Sequence, residues 1–166
     1  TKLVATANPE MALYRAASKE DFIADMMSGI ASTQPERDCN FIWVEDPEQL
    51  IKLTDNIIEM SRAGALPINN MVAIDTETST KIAVNGWPAT AYHPENNLAT
   101  VQVCWAPGQA MTIPFIRDDS AFNNDKNIAV ARNQLKRILD EVAVCGHNYR
   151  YDECYFNVKL GLRTEK

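Results

Sequence analysis

Two short runs, MVAI at residues 71–74 and VAVC at residues 142–145, are apolar at every position, and each follows a stretch whose apolar residues fall three and four apart. Continuous apolar character over so few residues suits a strand whose sheet is covered on both faces, and the preceding stretches supply helices for the cover. Before the first run, Asp46, Pro47 and Gln49 announce a helix by cap, first-turn proline and capping-box partner, and Leu50, Leu53, Ile57 and Met60 give it an apolar face. Before the second, Ile128, Ala131, Leu135, Ile138, Leu139 and Val142 do the same. A chain that alternates helix and buried strand in this way is an α/β chain.

The intervening segments make the sheet mixed. LATVQVCWA and QAMTIPF are strand-like runs split by Pro107 and Gly108, which reads as an antiparallel hairpin. NFIWV, residues 40–44, is a further short strand, the turn-rich region after residue 80 has room for a strand or edge at Ile82 to Val84, and HNYRYDECYFNVKLGL returns to helical spacing. Trp43 and Trp105 lie in strand-like runs and are expected in the core, whereas Trp87 belongs to a turn. None of the three is read as a nucleic-acid platform.

Residues 1–38 read as a helical arm and linker ahead of a main domain at 39–166. Asn8 and Pro9 start one helix; Ser18 and Asp21 start another, with Phe22, Ile23, Met26, Met27 and Ile30 on one face; ASTQPERDCN is the linker. No run reaches eighteen apolar residues and the first residues do not form a secretion signal, so a cytoplasmic protein is expected, with no membrane partner. The four cysteines are scattered and form no CxxC, which argues against a zinc site or a disulfide framework. Sixteen basic against 22 acidic residues, a net charge of −6, exclude broad nonspecific adhesion to a phosphate backbone. A nuclease stays possible, because bound divalent cations cancel acidic charge where the phosphate lies.

Carboxylates are the abundant ligand. Asp75 and Glu77 follow the apolar run MVAI and share one face of a strand, roughly 6.5 Å apart along the backbone at a rise of about 3.3 Å per residue. Two hard oxygen donors at that spacing suit Mg²⁺ or Mn²⁺, although acidic residues also end many strands with no ligand at all. Asp152 falls in the first turn of the last predicted helix, where a macrodipole-stabilised aspartate is the common arrangement and a third ligand the rarer one. His147 and Asn148 fit capping or turn positions. Gln102, in the hairpin, reads as a structural polar residue.

These segments also carry a resemblance. AIDTETS resembles the first motif, Asp-x-Glu, of the DnaQ-like 3′→5′ exonuclease superfamily, and VCGHNYRYDECYF resembles the second, in which an asparagine precedes an aspartate by several residues. The likeness spans residues 41 to 163 and is strongest to the proofreading domain of family A DNA polymerases, the bacterial DNA polymerase I type. It implies a ribonuclease H-like mixed sheet flanked by helices. It further implies Asp75, Glu77 and Asp152 as catalytic, metal-binding carboxylates for two Mg²⁺ or Mn²⁺ ions, and Thr76, Thr78 and Asn148 as residues beside the terminal nucleotide. The implied substrate is the 3′ end of single-stranded DNA, and the implied partner a polymerase domain, in a bacterial or phage-encoded protein.

The superfamily's third motif, Tyr-x-x-x-Asp or His-x-x-x-x-Asp, has no counterpart downstream of Asp152. The expectation is therefore a C-terminally incomplete domain whose remainder belongs to the same or another chain. Two other readings share the residues: an RNA-trimming exonuclease resembling ribonuclease D, and an inactive exonuclease-fold module of a replication complex.

Overall fold

The computed structural model describes residues 39–79, 91–115 and 120–163. The expected arm at 1–38, the strand at 82–84 and Trp87 lie outside the described residues. The chain divides after Arg37, and the account below concerns the unit Asp38–Lys166.

Among the described residues, five strands and three α-helices follow in the order β1 (Asn40–Trp43), α1 (Pro47–Arg62), β2 (Met71–Ser79), β3 (Asn97–Ala106), β4 (Gln109–Pro114), α2 (Asp125–Glu141), β5 (Ala143–Cys145) and α3 (Arg150–Tyr155), with a π-helical turn Phe156–Leu160 after α3. They build one sheet in the order β1-β4-β3-β2-β5. β1 lies parallel to β4 and β5 parallel to β2, while β3 runs antiparallel to both of its neighbours. The protein is thus a mixed sheet flanked by helices.

Local chemistry explains the boundaries. The Asp46 side chain accepts from the Gln49 N–H at 2.8 Å, and Gln49 Oε1 accepts in return from the Glu45 N–H at 2.8 Å, so orphan donors at the start of α1 are satisfied. Asn124 caps α2 in the same way through the Asn127 N–H at 3.0 Å. Gly108 turns the β3–β4 hairpin with φ +77°, a conformation glycine adopts without steric cost. The last predicted helix is shorter than its sequence period suggests. Its α-helical part ends at Tyr155, and the widened turn that follows buries Phe156 and Leu160 before Gly161 closes it at φ +62°.

Burial follows the predicted faces. Leu50 and Ile57 of α1 and Ala131, Leu135 and Ile138 of α2 are fully enclosed, as are Val72 of β2 and Val101 and Val103 of β3. α1 and α2 pack against each other, and the Arg137–Asp55 ion pair at 2.7 Å links their exposed flanks. Trp105 is buried and donates its indole N–H to Gln109 Oε1 at 3.0 Å. The expectation for Trp43 is corrected: it is 45% exposed, and Phe41 on the same face is 71% exposed. β1 is an edge strand covered on one face only, so alternation turns Val44 inward and leaves the other set outside.

Candidate functional site

The candidate site grows from a mismatch in strand length. β2 is nine residues long, but β5 pairs only with Met71, Val72 and Ala73, so the later part of β2 has no strand neighbour on that side. Gly146 follows β5 immediately, and a Cβ there would stand 2.8 Å from the Ile74 carbonyl oxygen. This close approach carries the chain past β2 into the turn 147–149, where Asn148 takes φ +53°, and on into α3. The helix therefore occupies the place a longer β5 would have filled.

α3 meets β2 through side chains. Thr76 Oγ1 donates to Asp152 Oδ1 at 2.6 Å, and two residues further along the strand the Thr78 and Tyr151 hydroxyls share a hydrogen bond of 2.8 Å. Tyr151 in turn lies against Tyr155, ring centroids 5.1 Å apart. Asp152 is only 2% exposed. Burial pushes its carboxyl up from the ordinary carboxylate value; the hydrogen bond from Thr76 works the other way, and the charge of Asp75 adds to the rise. Behind the turn, burial drives the Tyr149 phenol up to about 12, helped by the charges of Glu153 and Asp152, and its hydroxyl has no hydrogen-bond partner.

Asp75 and Glu77 lie on the opposite face of β2 from Thr76. Alternation leaves both exposed while Ile74 and Thr76 are buried. They sit within β2 rather than beyond its end, in register with Gln102 and Thr100 of β3, so four oxygen-bearing side chains share this face. Gln102 Nε2 donates to Thr100 Oγ1 at 2.6 Å, and Gln102 Oε1 is a buried acceptor with no partner.

Of the residues singled out in the sequence, Asp75 and Glu77 are thus side by side, and Asp152 comes to the same stretch of β2 from 76 positions away, bound to the threonine between them on the other face. Among the described residues, no group of three or more His, Cys, Asp or Glu side chains is disposed to hold a metal ion. The hydroxyls of Thr76 and Thr78 are engaged by α3, while Asn148 is exposed in the turn with His147 beside it. The donor chemistry on the Asp75 face suits a hard divalent cation: two carboxylates and an unpartnered amide oxygen, all oxygen ligands. Gln102 and Tyr151 are the members that sequence reasoning did not place here. Thr100, Gln102 and Cys104 alternate with apolar neighbours, which reveals a shared face, but their pairing with β2 depends on register.

The fold and site define an α/β protein with a mixed sheet and an acidic corner where β2 meets β3 and α3. Compared with known proteins, the chain matches no protein-family model and no curated protein. No described helix is long and apolar enough to cross a membrane.

Proposed function

We propose that this chain carries the site of a metal-dependent 3′→5′ exonuclease acting on single-stranded DNA ends, with a ribonuclease H-like, DnaQ-like sheet, as part of a proofreading family A polymerase. The observation that carries the reading is the 2.6 Å bond between Thr76 and Asp152, which joins the Asp-x-Glu segment to the Asn-x-x-x-Asp segment. The antiparallel hairpin beside a parallel strand pair supports it as well.

Asp75 and Glu77 would hold a divalent cation, Mg²⁺ or Mn²⁺, on their shared face of β2, and Asp152, bonded to Thr76 on the other face, would add its negative charge from beside the strand. When bound, such ions supply a water of lowered pKa and offset charge at the phosphate. The chain's own part is to present two carboxylates on a rigid strand and to fix Asp152 through Thr76, whose hydroxyl holds the charge-bearing oxygen in place. Asn148, exposed in the turn before α3, is available to the terminal nucleotide. Acidic net charge means that the strand is held by stacking and by metal more than by basic side chains.

Calorimetric titration of the chain with Mn²⁺ tests this, alongside release of mononucleotides from matched DNA and RNA strands. Binding should fall by about tenfold or more in Asp75→Ala, with DNA preferred as substrate. Equal Mn²⁺ affinity in wild type and variant would sink the assignment. An inactive module is the second reading, favoured by the position of Asp152 on the far side of β2 from Asp75 and Glu77. It predicts no carboxylate-dependent Mn²⁺ binding.

A further inference from the structure

α3 has a second working face. Tyr151, Asp152 and Tyr155 turn toward β2, while Arg150, Glu153, Cys154 and Asn157, spaced three and four apart, line a cleft of about 410 Å³ closed by Tyr92 and Arg163. Its far wall is anchored, because Lys159 Nζ donates to the His93 carbonyl at 2.9 Å, fixing the turn that carries Tyr92 against the π-helical turn.

The lining has a particular chemistry. Among the described residues, Arg150 and Arg163 make no ion pair, so two arginines line the cleft without a carboxylate partner. Guanidinium forks match phosphate oxygens. Tyr92 is 73% exposed, a flat ring available for stacking. Asn157 offers an amide donor and acceptor to the edge of a planar ligand. The Glu153 carboxylate, which also lines the cleft, opposes a polyanion lying through it. The volume, near the lower end of the roughly 300–1,000 Å³ of small-molecule sites, suits one compact ligand.

We propose that this cleft binds a single nucleotide unit, its phosphate held by Arg150 and Arg163 and its base stacked on Tyr92 with Asn157 at the base edge. The site is separate from the carboxylates of β2 and does not rest on the nuclease reading. A nucleotide unit reaches it either as a free monophosphate or as part of a single strand.

The test is calorimetric titration of the whole chain in EDTA with 2′-deoxyadenosine 5′-monophosphate and, in parallel, with a thymidine hexanucleotide. At least one of them should bind the wild type, and whichever binds identifies the source. Arg150→Glu and Arg163→Glu should each weaken that binding by about tenfold, Tyr92→Ala should weaken it about fivefold, and Tyr92→Phe should restore it. Deoxyadenosine without its phosphate should bind far more weakly. The proposal is overturned if neither ligand binds, or if both arginine variants bind as the wild type does. Because EDTA removes divalent metal, neither result depends on whether the Mn²⁺ titration succeeds.

Discussion

The hydroxyl of Thr76 donates to the carboxylate of Asp152 across 2.6 Å, a buried bond between residues 76 positions apart. Together with the Thr78–Tyr151 bond it staples α3 to β2. Removing the donor takes away the side-chain partner of a buried carboxylate, a loss of about 1–3 kcal/mol. Thr76→Val should therefore lower the urea midpoint by the corresponding amount, while Thr76→Ser, which keeps the hydroxyl, should stay close to wild type. In Thr76→Val the Asp152 carboxyl should also titrate at higher pH, as followed by NMR, because the strongest of the hydrogen bonds that oppose the effect of burial is gone.

Asp152 itself makes stability depend on pH. Its folded carboxyl binds a proton more readily than the ordinary value of 3.8, so the folded state carries the extra proton in the window just above 3.8. Stability contributed by this group is present below that value and is lost as pH rises through the folded value. Asp152→Asn, which retains an acceptor for Thr76, should accordingly raise the melting temperature at pH 7 without divalent metal. The gain should fade as the pH approaches 3.8. A melting series across pH checks the sign, and the same variant should bind Mn²⁺ less well.

Gly146 is the point of closest backbone approach beside the site. The methyl group of Gly146→Ala would stand 2.8 Å from the Ile74 carbonyl, so β2 and the start of the following turn must separate. A cost of about 1–3 kcal/mol is expected from such overpacking. Faster amide exchange in α3 than in α2 would show that the strain reaches the Thr76–Asp152 contact; unchanged exchange in both would refute it.

Tyr149 offers the opposite case. Its hydroxyl is buried without a partner, and burial pushes the phenol up to about 12. Tyr149→Phe removes a polar atom that gains nothing from folding and should leave stability equal or higher by up to about 1 kcal/mol in urea unfolding. The absorbance change near 12 should lose the Tyr149 share and keep that of Tyr155, which burial also pushes up to about 12.

Much of the architecture was legible from residue pattern. The caps at Asp46 and in the α1 first turn, the Pro107–Gly108 hairpin, and the apolar faces of α1 and α2 depend on neighbours within a few positions, and such interactions are written locally. Trp43 was misread because a strand-like run does not disclose whether its strand lies at an edge, and β1 does. The pairing of Gln102 with Asp75 is a matter of cross-strand register, which residue spacing does not disclose.

By itself, the sequence determined the α/β class, the alternation that sets Asp75 and Glu77 on one strand face, and the helical spacing that separates Asp152 from Arg150 and Glu153. Periodicity fixes which side chains share a surface. Only the tertiary structure decided that β5 stops after three pairs, that Gly146 lets α3 come alongside β2, and that Thr76 rather than Asp75 receives Asp152. Those outcomes depend on packing between segments distant in the chain, where the geometry of one close backbone contact selects which face of a strand the next helix meets.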